Sequence, residues 1–180
     1  MVGDPDVQLL KNIAAGDSRA VRDFVVAKLP RVLALSVRLL GDRGEAEDVA
    51  QEAFLRVWRQ AGSWRPGHAR FDTWLHTVVL NLCRDRMRRH RETVTDHMPE
   101  QIDSAPLPDE AIGNAERQDA VAAAIAALPE RQREAVVLVH YRDMTNIEAA
   151  AVLEISVDAL ESLLARGRRA LRETLRTEEI

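Results

Sequence analysis

A chain of 180 residues that is 46% hydrophobic can bury one ordinary core or two small ones, which marks it as globular and excludes disorder. Aromatics make up only 4%, and Ala, Leu, Val, Arg and Glu dominate, so the composition favours an all-α fold over an aromatic, β-branched sandwich or barrel. The net charge of −4 argues mildly against nucleic acid as a sum, but charge acts over a Debye length of ~8 Å, so its local pattern has to be followed.

The longest apolar run, Ala120 to Leu128, is less than half of a membrane span of ~20 residues, and no basic segment followed by an apolar one opens the chain. A single cysteine, Cys83, cannot form an internal disulfide. Together these features predict a cytoplasmic protein with no membrane insertion.

From the N-terminus, Val21, Phe24 and Val25 and then Val32, Leu33, Leu35, Val37, Leu39 and Leu40 recur at helical spacing. Pro30 between them predicts a break or kink separating two segments, and Gly41 closes the second. Asp42 to Glu45 reads as a capping box that opens the next helix. Its apolar stripe is Ala46, Val49, Ala50, Ala53, Phe54, Val57 and Trp58, and its other face carries Asp48, Gln51, Glu52, Arg56 and Arg59. Gly62 ends it. After a loop from Ser63 to Arg70, a helix from about Asp72 to Arg91 is apolar through Trp74, Leu75, Val78, Val79 and Leu82 and then becomes cationic.

That cationic end holds Arg84, Arg86, Arg88, Arg89 and Arg91, with Arg84, Arg88 and Arg91 on one helical face. Cations at a helix C-terminus gain ~0.3–1 kcal/mol each from the helix dipole, which accounts for one or two of them. Five side by side repel one another unless an anion usually sits there, and phosphate is the expected anion. The loop beside them supplies Trp64, Arg65 and His68, the mixture of ring and cation that suits unstacked bases. Phe71 and Trp74 follow at the helix start, where Trp74 falls on the apolar stripe and Trp64 is the better candidate for exposure.

Residues 96–117 hold three of the seven prolines, six acids and one base, an acidic, extended composition. The predicted organisation is therefore a helical domain over 1–95, a linker over 96–112, and a second helical domain over 113–180. The stretch before residue 96 carries sixteen basic and twelve acidic residues; the stretch after 117 carries eight and eleven.

In the second domain, helices are expected near 113–128, 131–141, 146–154 and 157–175. Thr145-Asn-Ile-Glu148 is a capping box, Ala149, Ala150 and Ala151 are small enough for two helices to cross closely, and Ser156 is a plausible N-cap for the last helix. This is a helix-turn-helix pattern, whose second helix can present its first side chains to base edges in the major groove. An ordinary αα-hairpin has the same local signals.

His76, Cys83, His90 and His97 recur every seven residues, which invites a metal reading. Seven helical residues rise ~10.5 Å, so successive members cannot share an ion whose ligand bonds are ~2 Å, and no metal site is expected. No glycine-rich phosphate loop, H-E-x-x-H or G-x-S-x-G motif occurs, so no catalytic residue and no cofactor is assigned and an enzyme is not expected.

Three blocks in order, Glu47-Asp-Val-Ala-Gln-Glu-Ala-Phe-Leu-Arg-Val-Trp58, then Phe71-Asp-Thr-Trp-Leu75 with Asn81 and Asp85-Arg-Met-Arg-Arg89, and Leu128-Pro-Glu-Arg-Gln-Arg-Glu134, give the chain a family likeness. It resembles the sigma-70 family, and within it the short group IV, or extracytoplasmic-function (ECF), members. The resemblance implies a partner in RNA polymerase core, through the β′ clamp helices and the β subunit, together with promoter DNA and an anti-sigma factor. It places Asp48, Gln51 and Glu52 against the clamp helices. It assigns Trp64, Arg65 and His68, with Asn81, Arg84 and Arg88, to the −10 element. It assigns Thr145, Ser156, Glu161, Ser162, Arg166 and Arg169 to the −35 element. One departure stands out: Glu161, Ser162 and Leu163 occupy positions where relatives carry a cation, serine and arginine, so two cations expected near DNA are absent.

Two other functions fit parts of the pattern. A sigma-mimic that binds an anti-sigma factor would tolerate a depleted recognition helix, although Arg166, Arg168, Arg169 and Arg172 remain. An autonomous helix-turn-helix regulator would not need the Asp48, Gln51 and Glu52 face.

Overall fold

The computed structural model describes residues 6–65, 70–94, 120–142 and 144–177. Among them there are eight helices and no strand, the all-α class that the composition implies. They are α1 (Asp6–Ala14), α2 (Ser18–Leu40), α3 (Arg43–Gln60), α4 (Phe71–Val94), α5 (120–126), α6 (Glu130–Tyr141), α7 (Asn146–Leu153) and α8 (Val157–Thr177). The described residues fall into two compact units, one within 1–36 and 44–99, the other within 37–43 and 100–180. The expected linker over 96–112 lies outside the described residues.

The first unit is organised around Phe24 of α2, which has no exposed surface. Its ring meets Phe54 and Trp58 of α3 at centroid distances of 5.4 and 6.2 Å and Phe71 of α4 at 5.9 Å, all edge to face. Such pairs add ~0.5–1.5 kcal/mol beyond the area they bury, and they lock three helices onto one ring. The α3 stripe of Ala46, Val49, Ala50, Ala53, Phe54 and Val57 is buried as its spacing demands.

Pro30 does not break the chain: α2 runs unbroken for 23 residues with the proline inside. A proline in a helix costs ~3 kcal/mol, because the carbonyl four residues earlier loses its donor. Here Pro30 and Val26 both face solvent, so water can reach that carbonyl. Phe24 on one side and Val32, Leu35 and Leu39 on the other are buried, and their packing outweighs the local loss.

Helix α1 carries Leu10 and Ile13 into the core and is tied to the rest by charge. Lys28 of α2 donates from Nζ to Asp6 Oδ2 at 2.8 Å and to Asp72 Oδ1 at 2.6 Å, bridging α1, α2 and α4. Burial alone would push the ammonium pKa down. The hydrogen bonds and charges of the two carboxylates outweigh that and hold it above its ordinary value.

In the second unit, α8 packs on α6 and α7. Leu160, Leu164 and Gly167 of α8 are buried, as are Val136, Val137 and Leu138 of α6. Gly167 marks the closest approach: a Cβ there would lie 2.9 Å from Val136 Cγ2. Ala149 and Ala150 are buried, as a tight crossing requires, while Ala151 faces out. Glu134 is fully buried, with Arg131 Nη1 3.3 Å from its carboxylate.

Candidate nucleic-acid and protein-docking surfaces

The acidic face of α3 adjoins the cationic half of α4. Asp48 and Gln51 are exposed and Glu52 is half-buried; together with Leu55, Leu82 and Arg86 they line an open groove of about 460 Å³. Arg86 Nη1 donates to Glu45 Oε2 at 2.5 Å and to Asp48 Oδ2 at 3.2 Å. The hydrogen bond to Glu45 holds the guanidinium pKa above its ordinary value, and burial opposes it less strongly. Glu52 Oε1 takes Arg56 Nε at 3.3 Å and Arg59 Nη1 at 3.8 Å. Leu55, 44% exposed, puts an apolar patch among these charges.

These contacts change the argument from self-repulsion among the five arginines. Arg86 is neutralised by α3, Arg88 lies 3.0 Å from Asp85 and 4.0 Å from Glu92, and Arg84 Nη1 donates to Asn81 Oδ1 at 3.3 Å. The cations of α4 are answered by acids on α3 and by Asp85 and Glu92 on α4 itself. Exposed pairs of this kind are worth ~0–1 kcal/mol, so an incoming phosphate or a basic partner can displace them at small cost.

At the start of α4, Trp64 is half-buried with its ring edge to face on Phe71 at 5.5 Å, and Phe71 in turn meets Trp74 at 5.3 Å. Trp64 is thus partly held by the core and not freely exposed. Arg65 is exposed and donates from Nη1 to the carbonyls of Gly62 and Trp64 at 3.2 and 3.1 Å. Asn81 is exposed. His68 lies outside the described residues. An open concavity of about 470 Å³ is lined by Val7, Leu10, Ala14, Ala61, Trp64 and Arg65. Helix α1 supplies one wall, and it was missed from sequence although Val7, Leu10 and Ala14 follow a helical period.

In the second unit, the two caps expected from sequence are formed. Thr145 Oγ1 accepts from Glu148 N–H at 3.2 Å while the Glu148 carboxylate accepts from Thr145 N–H at 3.0 Å. Ser156 Oγ accepts from Ala159 N–H at 3.2 Å at the start of α8. Between the helices, Glu154 adopts φ 56°, and Ile155 N–H donates to Ala150 O at 3.0 Å, which fixes the turn. Along α8, Glu161, Ser162, Arg166 and Arg169 are exposed while Leu160 and Leu164 are buried, and Leu163 is half-buried. Ser162 donates its hydroxyl to Asp158 O at 3.0 Å, and Arg166 Nε donates to Ser162 O at 3.2 Å. Glu161 Oε1 accepts from Asn146 Nδ2 at 3.3 Å, a bond from α8 back to the start of α7. Asn146 was not singled out from sequence, because nothing local marks its partner fifteen residues away.

Among the described residues no three metal-ligating side chains converge, and Cys83 is fully buried.

The family models for Sigma-70 region 2 and Sigma-70 region 4 match residues 24–93 and 118–171. The ECF RNA polymerase sigma factor SigW of Bacillus subtilis is 31% identical over 93% of this chain and 95% of its own length. This chain belongs to the ECF RNA polymerase sigma factors. It is a sigma factor with a helical unit for each matched region, and no helix among the described residues is long and apolar enough to cross a membrane. Its region 2 match begins at Phe24 and so leaves α1 outside. Two solved structures share the fold. CnrH in complex with the cytosolic domain of CnrY is 28% identical, with a TM-score of 0.68 over 96% of this sigma factor and 97% of that chain. The sigma factor RpoE of Bartonella quintana, solved with the anti-sigma factor NepR, is 24% identical, with a TM-score of 0.73 over 87% and 96%.

Proposed function

We propose that this sigma factor docks on RNA polymerase core through the α3 face of Asp48, Gln51 and Glu52, and that the β′ clamp helices are the surface it meets, with further contact to the β subunit. The observation that carries this is the groove between α3 and α4, where displaceable carboxylates surround the exposed Leu55. Basic partner residues would exchange with Arg86 and Arg56 for those carboxylates, and Leu55 would supply apolar area. In the same reading, Trp64, Arg65 and His68 hold an unstacked −10 base, and Asn81, Arg84 and Arg88 hold the opened strand. Thr145, Ser156, Glu161, Ser162, Arg166 and Arg169 face the −35 element. The domains are those expected at 1–95 and 113–180, and the protein works in the cytoplasm as a regulator of initiation, without enzymatic activity. When it is off, an anti-sigma factor covers it; CnrH and the Bartonella protein were both solved with partners bound.

The test is Asp48→Arg combined with Glu52→Arg, with Asp48→Asn and Glu52→Gln as the neutral control. The side chains are 61% and 37% exposed, so helicity should be unchanged. Association with purified core should fall at least a hundredfold for the double arginine variant and less for the control. Normal core affinity in a folded double arginine variant would remove this face from the mechanism. Tight, sequence-specific promoter binding by the free chain would favour an autonomous regulator instead.

A further inference from the structure

Glu161 is the least expected residue on the recognition helix, and local stability does not account for it. It stands in the second turn of α8, past the first turn where a carboxylate gains from the helix dipole. Among the described residues it caps no helix and no cation lies within ion-pair distance; its hydrogen-bond partner is Asn146 Nδ2. The amide orientation follows from chemistry: turned the other way, Asn146 would aim its carbonyl oxygen at the carboxylate. One of the two amide protons of Asn146 is therefore committed to Glu161, which holds the two side chains together as a unit.

We infer that Asn146 and Glu161 form one composite base reader, in which the Asn146 amide orients the Glu161 carboxylate so that its other oxygen accepts a hydrogen bond from the N4 amino group of a cytosine in the −35 segment. This rests on the reading of α7 and α8 as the −35 element's partner and adds what that site selects. A carboxylate is an acceptor only. In the major groove guanine presents O6 and N7 and thymine presents O4, all acceptors that repel it, and adenine sets N7 beside its amino group. Cytosine alone offers an amino donor with no ring acceptor beside it. The same charge repels phosphate, so the device lowers affinity for every sequence while sharpening the choice at one base pair. Arg166 and Arg169, further along α8 and exposed, supply the sequence-independent attraction.

The experiment is selection from a promoter library randomised in the −35 segment, with transcription by reconstituted holoenzyme containing the full chain. Four proteins are compared: the natural sequence, Glu161→Gln, Asn146→Ala and the double variant. The natural chain should prefer cytosine at one position by about tenfold or more, the discrimination usual for a well-placed base contact. Glu161→Gln should abolish that preference. Asn146→Ala should weaken it at the same position, and the double variant should be no worse than Glu161→Gln, because the two side chains act as one unit. A fifth protein, Glu161→Lys, should raise affinity for all sequences and steepen the salt dependence by about one counterion. An unchanged base profile for Glu161→Gln in active holoenzyme, or an effect of Asn146→Ala at another position, overturns the inference and leaves the −35 reading standing. Holoenzyme of the natural chain that transcribes with no selection anywhere in the −35 segment overturns both.

Discussion

Replacing Lys28 with methionine isolates what holds α1 onto the first unit. The Lys28 side chain is 10% exposed and lies between Asp6, 12% exposed, and Asp72, 40% exposed. Taking the cation away from a buried carboxylate costs ~3–5 kcal/mol. Asp72 can turn to water and methionine recovers some apolar burial, so the net loss should be about 2–4 kcal/mol. All three tryptophans, Trp58, Trp64 and Trp74, lie in the first unit, so tryptophan fluorescence in urea follows that unit within the intact chain. With a slope of ~1–3 kcal/mol per molar, the midpoint should fall by about 0.7–4 M. Adding Asp6→Leu to Lys28→Met replaces the pair by apolar groups and should return stability to within about 1 kcal/mol of the natural chain. The pH dependence has a definite sign. Because the folded pKa of Lys28 lies above its ordinary value of 10.5, its contribution is complete below that pH and is lost as pH rises through the folded pKa. Lys28→Met should lack that alkaline loss. A midpoint unchanged by Lys28→Met, or a double variant less stable than the single, would refute the claim that this charge cluster anchors α1.

Gly167→Ala gains ~1 kcal/mol of helix propensity but drives a Cβ to 2.9 Å from Val136 Cγ2, on a side chain that is 2% exposed and stiff at χ1. Overpacking of ~1–3 kcal/mol should win, giving a net loss of up to about 2 kcal/mol by thermal circular dichroism; a stabilised variant would mean that α6 and α8 can separate freely. Glu154→Gly should act the other way. Relief of the left-handed conformation, worth ~1–2 kcal/mol, exceeds the ~0.5–1 kcal/mol entropy that glycine loses, so the second unit should melt at an equal or higher temperature, and a clear drop would show that the Glu154 side chain stabilises the turn.

Short-range chemistry is what this sigma factor's chain states openly. The α3 stripe follows from its spacing, Gly41 ends α2 with φ 75°, and Thr145, Glu148 and Ser156 set their helix starts because each cap bonds to backbone three residues away. The family blocks were legible for the same reason, being contiguous runs. Tertiary structure alone decided the rest. Pro30 is tolerated because its side of α2 faces solvent while the other is packed. Lys28 is 22 residues from Asp6 and 44 from Asp72, Arg86 is 38 from Asp48, and Asn146 is 15 from Glu161. No periodicity within one helix predicts such pairs. Their members meet because the packing of whole helices, around Phe24 in one unit and across Gly167 in the other, fixes which polar faces lie side by side.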